Sequence, residues 1–212
     1  MVLKWSDLHI PWQACLQEMW EAYCSGTVPI GAVVVSGDVI VGRGRNRIRN
    51  TSAPENQIYG SDLAHAEINA LYSLRGLSLD KYACALYTTM EPCPQCLGAI
   101  YMSGIREFHY ACRDAWAGSA NLLGTTPYLS RKKMKVFAPQ DEALEGLICA
   151  LHADFVLRRG LEHNRELIEL WRIDSPRGIR LAGELQRSGF YERVSRENWP
   201  VEQAIDWLAG CL

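Results

Sequence analysis

"TTMEPCPQCLGAI", Thr88 to Ile100, places two cysteines three positions apart between prolines, after an apolar run and ahead of a helix-like one. A Cys-x-x-Cys pair has three common meanings: a redox dithiol, half of a structural zinc site, or part of a catalytic metal site. The rest of the chain has to choose among them.

The choice turns on "DLAHAEINAL", Asp62 to Leu71. Asp62 is the expected N-cap of a helix from Leu63 to about Leu74, with His65 and Glu67 in its first turn and Ile68, Ala70 and Leu71 on its apolar face. A His and a Glu near a helix start ordinarily do no more than cap and solvate it. Followed by a strand and then Pro-Cys-Pro-Gln-Cys, however, they complete the H-x-E…P-C-x-x-C signature of zinc deaminases.

Zinc chemistry explains the residue types. A catalytic zinc takes three protein ligands and keeps a fourth position open, and one imidazole with two thiolates is such a set. Cys93 and Cys96, at i and i+3, project from one side of a first helical turn. The free N–H groups and positive dipole end of that turn favour thiolates. If the strands that precede the two helices are neighbours in the sheet, the helix starts converge and His65 becomes the third ligand. Glu67 is then left free of the metal, as a residue that carries protons must be.

Composition sets the frame. With 212 residues, 48% of them hydrophobic, the chain suits one large domain plus an appendage. A formal charge of −2 argues against a protein that coats nucleic acid indiscriminately. The N-terminal stretch reads as no leader and no apolar run is long enough to span a bilayer, so a cytoplasmic protein is expected. Cysteines other than Cys93 and Cys96 sit singly in apolar stretches, where a thiol packs as a small hydrophobe, and nothing indicates a disulfide scaffold.

Periodicity orders the elements. Trp12 to Tyr23 repeats apolar residues at helical spacing. "PIGAVVVSGDVIVGRGRN" reads as a hairpin of Ile30–Val35 and Val39–Arg43. After a loop over 46–60 and the His65 helix come a strand at Cys84–Thr88, the cysteine helix to Met102, strands in "REFHYAC" and "RKKMKVFAP", and a helix from Glu142 to Arg159. This predicts an α/β fold, a three-layer α/β/α sandwich around a mixed, roughly five-stranded sheet. Residues 1–160 are expected to form the deaminase domain and 161–212 a helical C-terminal extension, with Trp171, Phe190, Tyr191, Trp199 and Trp207 in its packing.

From about Ile10 to Arg159 the chain resembles the cytidine-deaminase-like zinc hydrolases, and within them the tRNA adenosine deaminase and guanine deaminase branch. The resemblance runs through "PIGAVVV", "GRGRNR", "HAEINAL", "TTMEPCPQCLGAI" and "HYACRDAWAGSA". It implies a five-stranded sheet between helices, Zn²⁺ as cofactor, hydrolytic replacement of an exocyclic amine by a carbonyl with release of ammonia, and a homodimer. It also implies that Asn46 contacts the base, and that backbone groups of Pro29, Ile30 and Gly31 and of Glu91 and Pro92 frame the pocket. Trp116 either lines that pocket or fills core.

The loop from Asn46 to His65 is longer than in the tRNA enzymes it resembles, and residues 47–60 could close over a small substrate. The expected substrate is therefore a free base, nucleoside or nucleotide, with tRNA adenosine-to-inosine deamination as the alternative. A structural-zinc or dithiol redox protein using Cys93 and Cys96 is the reading from a different class, and neither of those has a use for Glu67. Alternating Arg43, Arg45, Arg47 and Arg49 would suit phosphate if they shared an exposed face, but a solvated strand end is the plainer expectation.

Overall fold

Residues 2–160 and 164–212 are described by the computed structural model; the proposed boundary at 160/161 adjoins residues 161–163, outside the described residues. The β-branched runs on either side of "SGD" form β1 (Gly31–Ser36) and β2 (Val39–Arg45), joined at Gly37, whose φ of 59° lies where glycine is favoured. Three more strands follow: β3 (Cys84–Thr88), β4 (Glu107–Tyr110) and β5 (Lys135–Phe137).

The sheet order is β2-β1-β3-β4-β5. Strand β1 pairs antiparallel with both β2 and β3, while β3, β4 and β5 are mutually parallel. The strands that precede the two motif helices are thus separated by β1, contrary to the expected adjacency. Being antiparallel to the same neighbour, β2 and β3 still run in one direction, so both chains leave the sheet at the same edge. That edge, at the C-terminal ends of the strands, is where open α/β sheets place their sites.

Alternation along the strands divides the packing. Ala32, Val34, Leu86 and Phe108 face α2 (Ala66–Tyr72) and α3 (Pro94–Ser103) in one cluster. Val33, Val35 and Tyr87 pack on α1 (Ile10–Cys24) on the other face. Helix α2 lies hard against β2, because a Cβ at Gly44 would stand 2.2 Å from the Ala70 nitrogen and 2.4 Å from the Ala66 oxygen. Any side chain there would lift the helix that carries His65 and Glu67.

Helix α2 starts later than Asp62 suggested. Residues 61–64 form a tight turn in which the Ala64 N–H donates to the Ser61 carbonyl, and His65 takes the N-cap position in extended geometry (φ −72°, ψ 158°). The Ala64 carbonyl is meanwhile occupied by the Arg47 N–H, a loop contact that local capping preference does not register.

Helix α4 (Glu142–Arg158) is buried at every position from Leu144 to Val156. A helix buried all round must be covered on all sides, and α1 together with the C-terminal helices α5 (Asn164–Asp174), α6 (Pro176–Ser188), α7 (Phe190–Glu197) and α8 (Val201–Cys211) provides the cover in one continuous hydrophobic cluster. At its centre Phe190 stacks on Trp207 with centroids 5.0 Å apart and meets Trp20 edge-on. The buried Asp154 carboxylate there accepts from Tyr23 at 2.6 Å and from Arg158 at 2.9 Å. Among the described residues, no helix is long and apolar enough to cross a membrane.

Candidate active site

Helices α2 and α3 begin side by side at the common edge. Cys93 is the N-cap of α3, with Pro94 next to it at the helix start, and Cys96 lies one turn in. The Nδ1 of His65 is 3.6 Å from the Cys93 Sγ and 3.4 Å from the Cys96 Sγ. All three donor atoms lie within 4.8 Å of one another. For zinc at its usual ~2.0–2.1 Å from nitrogen and ~2.3 Å from sulfur, a tetrahedral N–S separation is about 3.5 Å. The cluster therefore fits the ion as it stands.

The protons agree with the distances. Cys93 is pushed down to about 4, chiefly by a hydrogen bond from Cys96 and further by His65, against the effect of burial. The Cys96 thiol is raised, by the same shared hydrogen bond and then by burial. A dication that binds both sulfurs displaces the proton that Cys96 retains. His65 is raised, first by its hydrogen bond to Cys93.

Glu67 stands beside this set, 3% exposed. Its Oε2 accepts from the Cys96 thiol at 3.2 Å and its Oε1 from the Thr88 hydroxyl at 3.1 Å. Burial holds its carboxyl above the ordinary range. Thr88 escaped the sequence reading because it looks like any β-branched strand residue; its position as the last residue of β3, just before the motif, was the available signal.

Asn46, 1% exposed, follows β2. Its Oδ1 accepts from the Thr27 hydroxyl at 2.9 Å and from the Ile48 N–H at 3.2 Å, while its Nδ2 has no hydrogen-bond partner among the described residues. The backbone beside it is already engaged: the Ile30 carbonyl accepts from the Asn46 N–H, and the Gly31 N–H donates to the Thr89 hydroxyl. Pro29 is buried, and its C=O and that of Glu91 have no partner among the described residues. The Pro92 carbonyl accepts from Ser119. The Glu91 side chain turns away from the metal set, accepting from the Ala120 N–H at 3.1 Å and the Asp114 N–H at 3.4 Å. Trp116 is 55% exposed, so it fills no core.

The long loop is fastened to α2 by Asn69, which the sequence reading did not single out. Its Nδ2 donates to the Arg45 and Ile58 carbonyls at 3.0 and 3.1 Å, and its Oδ1 accepts from the Ile58 N–H at 2.8 Å. Three of the four alternating arginines serve the same packing, since Arg43 meets Glu18, Arg45 meets Glu21 and Asn50, and buried Arg47 donates to Gln57, while Arg49 is exposed. A cleft of about 620 Å³ between Trp12, His109, Phe137 and Leu144 lies elsewhere, on the α1 side of the sheet, and contains none of the three donors.

The fold and the donor set define a catalytic-type zinc centre at the strand-end edge of an α/β/α domain. Residues 8–112 match the family described as the cytidine and deoxycytidylate deaminase zinc-binding region. Through that region the chain belongs to the cytidine-deaminase-like zinc hydrolases. It is 28% identical over 160 residues to a cytosine deaminase of Candida albicans, an alignment covering 74% of this chain and 94% of that one. It is 36% identical to a guanine deaminase of Bacillus subtilis over 43% of this chain and 55% of that one. A solved structure from a study of A-to-I editing by tRNA:A34 deaminases superposes with a TM-score of 0.55 at 28% identity, covering 65% of this chain and 97% of that one.

Proposed function

We propose that the chain deaminates a nucleobase hydrolytically, replacing the exocyclic amine of a free base, nucleoside or nucleotide by a carbonyl and releasing ammonia. The observation that carries this reading is the carboxylate of Glu67, held by Thr88 beside a three-donor metal set. Neither a structural zinc nor a redox dithiol needs a fixed, buried acid next to it.

His65, Cys93 and Cys96 would hold Zn²⁺, which when bound would supply Lewis acidity that lowers the pKa of water. The chain's own groups do the rest. Thr88 pins Oε1 of Glu67, leaving Oε2, the oxygen turned to the donors, to take a proton from water and deliver it to the departing amine. A carboxyl raised by burial is suited to hold that proton near neutral pH. The unpartnered Nδ2 of Asn46 donates to a ring nitrogen or carbonyl of the base, and its Oδ1 contacts with Thr27 and Ile48 fix which way the amide faces. The carbonyls of Pro29 and Glu91 are acceptors for N–H groups of the base, Ile30, Gly31 and Pro92 form the walls, and Trp116 offers a ring at the rim.

Preference for a small substrate over tRNA is supported by the arginines. Arg43, Arg45 and Arg47 are paired within the fold and do not form a free cationic face. The test is ammonia release from a panel of cytosine, adenine and guanine compounds. At least one should turn over at millimolar concentration or below, with rates little changed between about 50 and 200 mM salt, where a phosphate-gripping enzyme loses affinity steeply. Turnover confined to a structured tRNA would sink the small-substrate reading in favour of tRNA adenosine-to-inosine deamination.

Two further attributes belong to the proposal. A homodimer is supported by Met102 of α3, 64% exposed, with Tyr128 beside it at 47%; light scattering at micromolar concentration should give twice the 23.9 kDa chain mass, and a monomer would contradict it. Cysteines free of disulfides among the described residues suit a reducing compartment, which supports a cytoplasmic location. We treat 161–212 as an extension of the 1–160 catalytic domain.

A further inference from the structure

Among the described residues, a hydrogen bond joins the C-terminal helices to the surroundings of the site. Trp171 of α5, 3% exposed, donates its indole N–H to Asp114 Oδ1 at 2.9 Å. The same oxygen accepts from the Trp116 N–H at 3.0 Å and the Ala117 N–H at 3.2 Å, so it caps the turn that presents Trp116. The stretch 113–119 is fastened in turn to the residues just ahead of Cys93. Glu91 receives the Asp114 N–H, the Ser119 N–H donates to the Pro92 carbonyl at 3.0 Å, and a Cβ on Gly118 would stand 2.6 Å from the Glu91 carboxylate. Arg113 anchors the near end through its pair with Glu145 at 2.7 Å. Behind the indole, the His152 ring packs with its centroid 4.6 Å away.

The two backbone bonds to Asp114 are local and form whenever the turn forms. The bond from Trp171 is of another kind: it joins the turn to a helix well beyond the matched residues 8–112, and a charged acceptor makes it a strong one. It adds a tie to α5 to those that join the stretch to Glu91, Pro92 and Glu145, and it is the one that meets the oxygen capping the Trp116 turn.

We infer that Trp171 is a positioning residue for substrate binding: through Asp114, its indole N–H holds residues 113–119, and with them Trp116, at the rim of the site. The C-terminal extension thereby contributes to base recognition without touching the base. The kinetic part of this inference rests on the deaminase reading; the placement of the loop does not.

Trp171→Phe removes the N–H and keeps most of the ring. It should raise KM about 10-fold, the effect of losing one charge-assisted hydrogen bond, with kcat within twofold and zinc content unchanged. Hydrogen exchange should quicken at the amides of 116–119 and stay constant at those of β3. Asp114→Asn, which retains an acceptor oxygen without its charge, should raise KM by less than Trp171→Phe, and Asp114→Ala should raise it at least as much as Trp171→Phe. An unchanged KM, or kcat and zinc content falling together with it, would overturn the inference. So would failure of Trp171→Phe to fold combined with a normal KM in Asp114→Ala. If the parent protein deaminates no base compound, the proposed function fails, and the exchange rates of the same variants still decide whether Trp171 holds the loop.

Discussion

Glu67→Gln is expected to abolish nearly all turnover, by about 10²–10⁴-fold, while zinc content stays at one per chain. Glutamine has the size and the oxygen needed to keep the Thr88 contact, so the substitution isolates proton transfer from geometry. Stability should not suffer. Burial lifts the folded pKa of Glu67, and such a group contributes stability below its unfolded pKa that is lost as pH rises through the folded one. At neutral pH in chelator-treated protein the carboxylate is therefore a cost, and glutamine removes it: Tm measured by calorimetry holds or rises. Near-parental turnover in this variant would end the assigned mechanism.

Cys93→Ala is expected to lose the metal and all activity together. Two donors remain, and the thiolate that hydrogen bonds from Cys96 and His65 make available against burial is gone. The protein should still fold, because His65, Cys93 and Cys96 belong to neither of the two large hydrophobic clusters. What disappears is the added stability of a ligand that binds only the native state. With free zinc at about 100 times Kd this is worth ~2.7 kcal/mol, or roughly 5–10 °C in Tm for a chain of this size. Chelation of the parent should give the same drop, reversed on adding zinc. Zinc retained at full occupancy after Cys93→Ala would refute the ligand set.

Much of this was legible in the sequence where chemistry and periodicity coincide. Strand β3 occupies the expected Cys84–Thr88, and His65, Cys93 and Cys96 come together as the motif spacing requires. The reasons differ where legibility ended. Helix α2 begins at Ala66 because the preceding turn is committed to Arg47, a contact made across the loop. Insertion of β1 between β2 and β3 is a property of topology, invisible to local pattern, and it leaves the convergence of the helices intact because direction and not adjacency governs it. Thr88, Asn69 and Trp171 act through partners 21, 24 and 57 positions away, and no spacing rule links them to those partners.

The Trp171–Asp114 bond also carries a thermodynamic obligation. Two events that share one contact are linked, and the coupling is the same whichever is taken first. If the docked α5 improves substrate binding tenfold, then bound substrate must improve the docking of α5 tenfold, about 1.4 kcal/mol. On that inference the packing of α5, already docked in the core through Trp171 and Ile168, would tighten when substrate binds, and loosening it would weaken binding at a distance from the base.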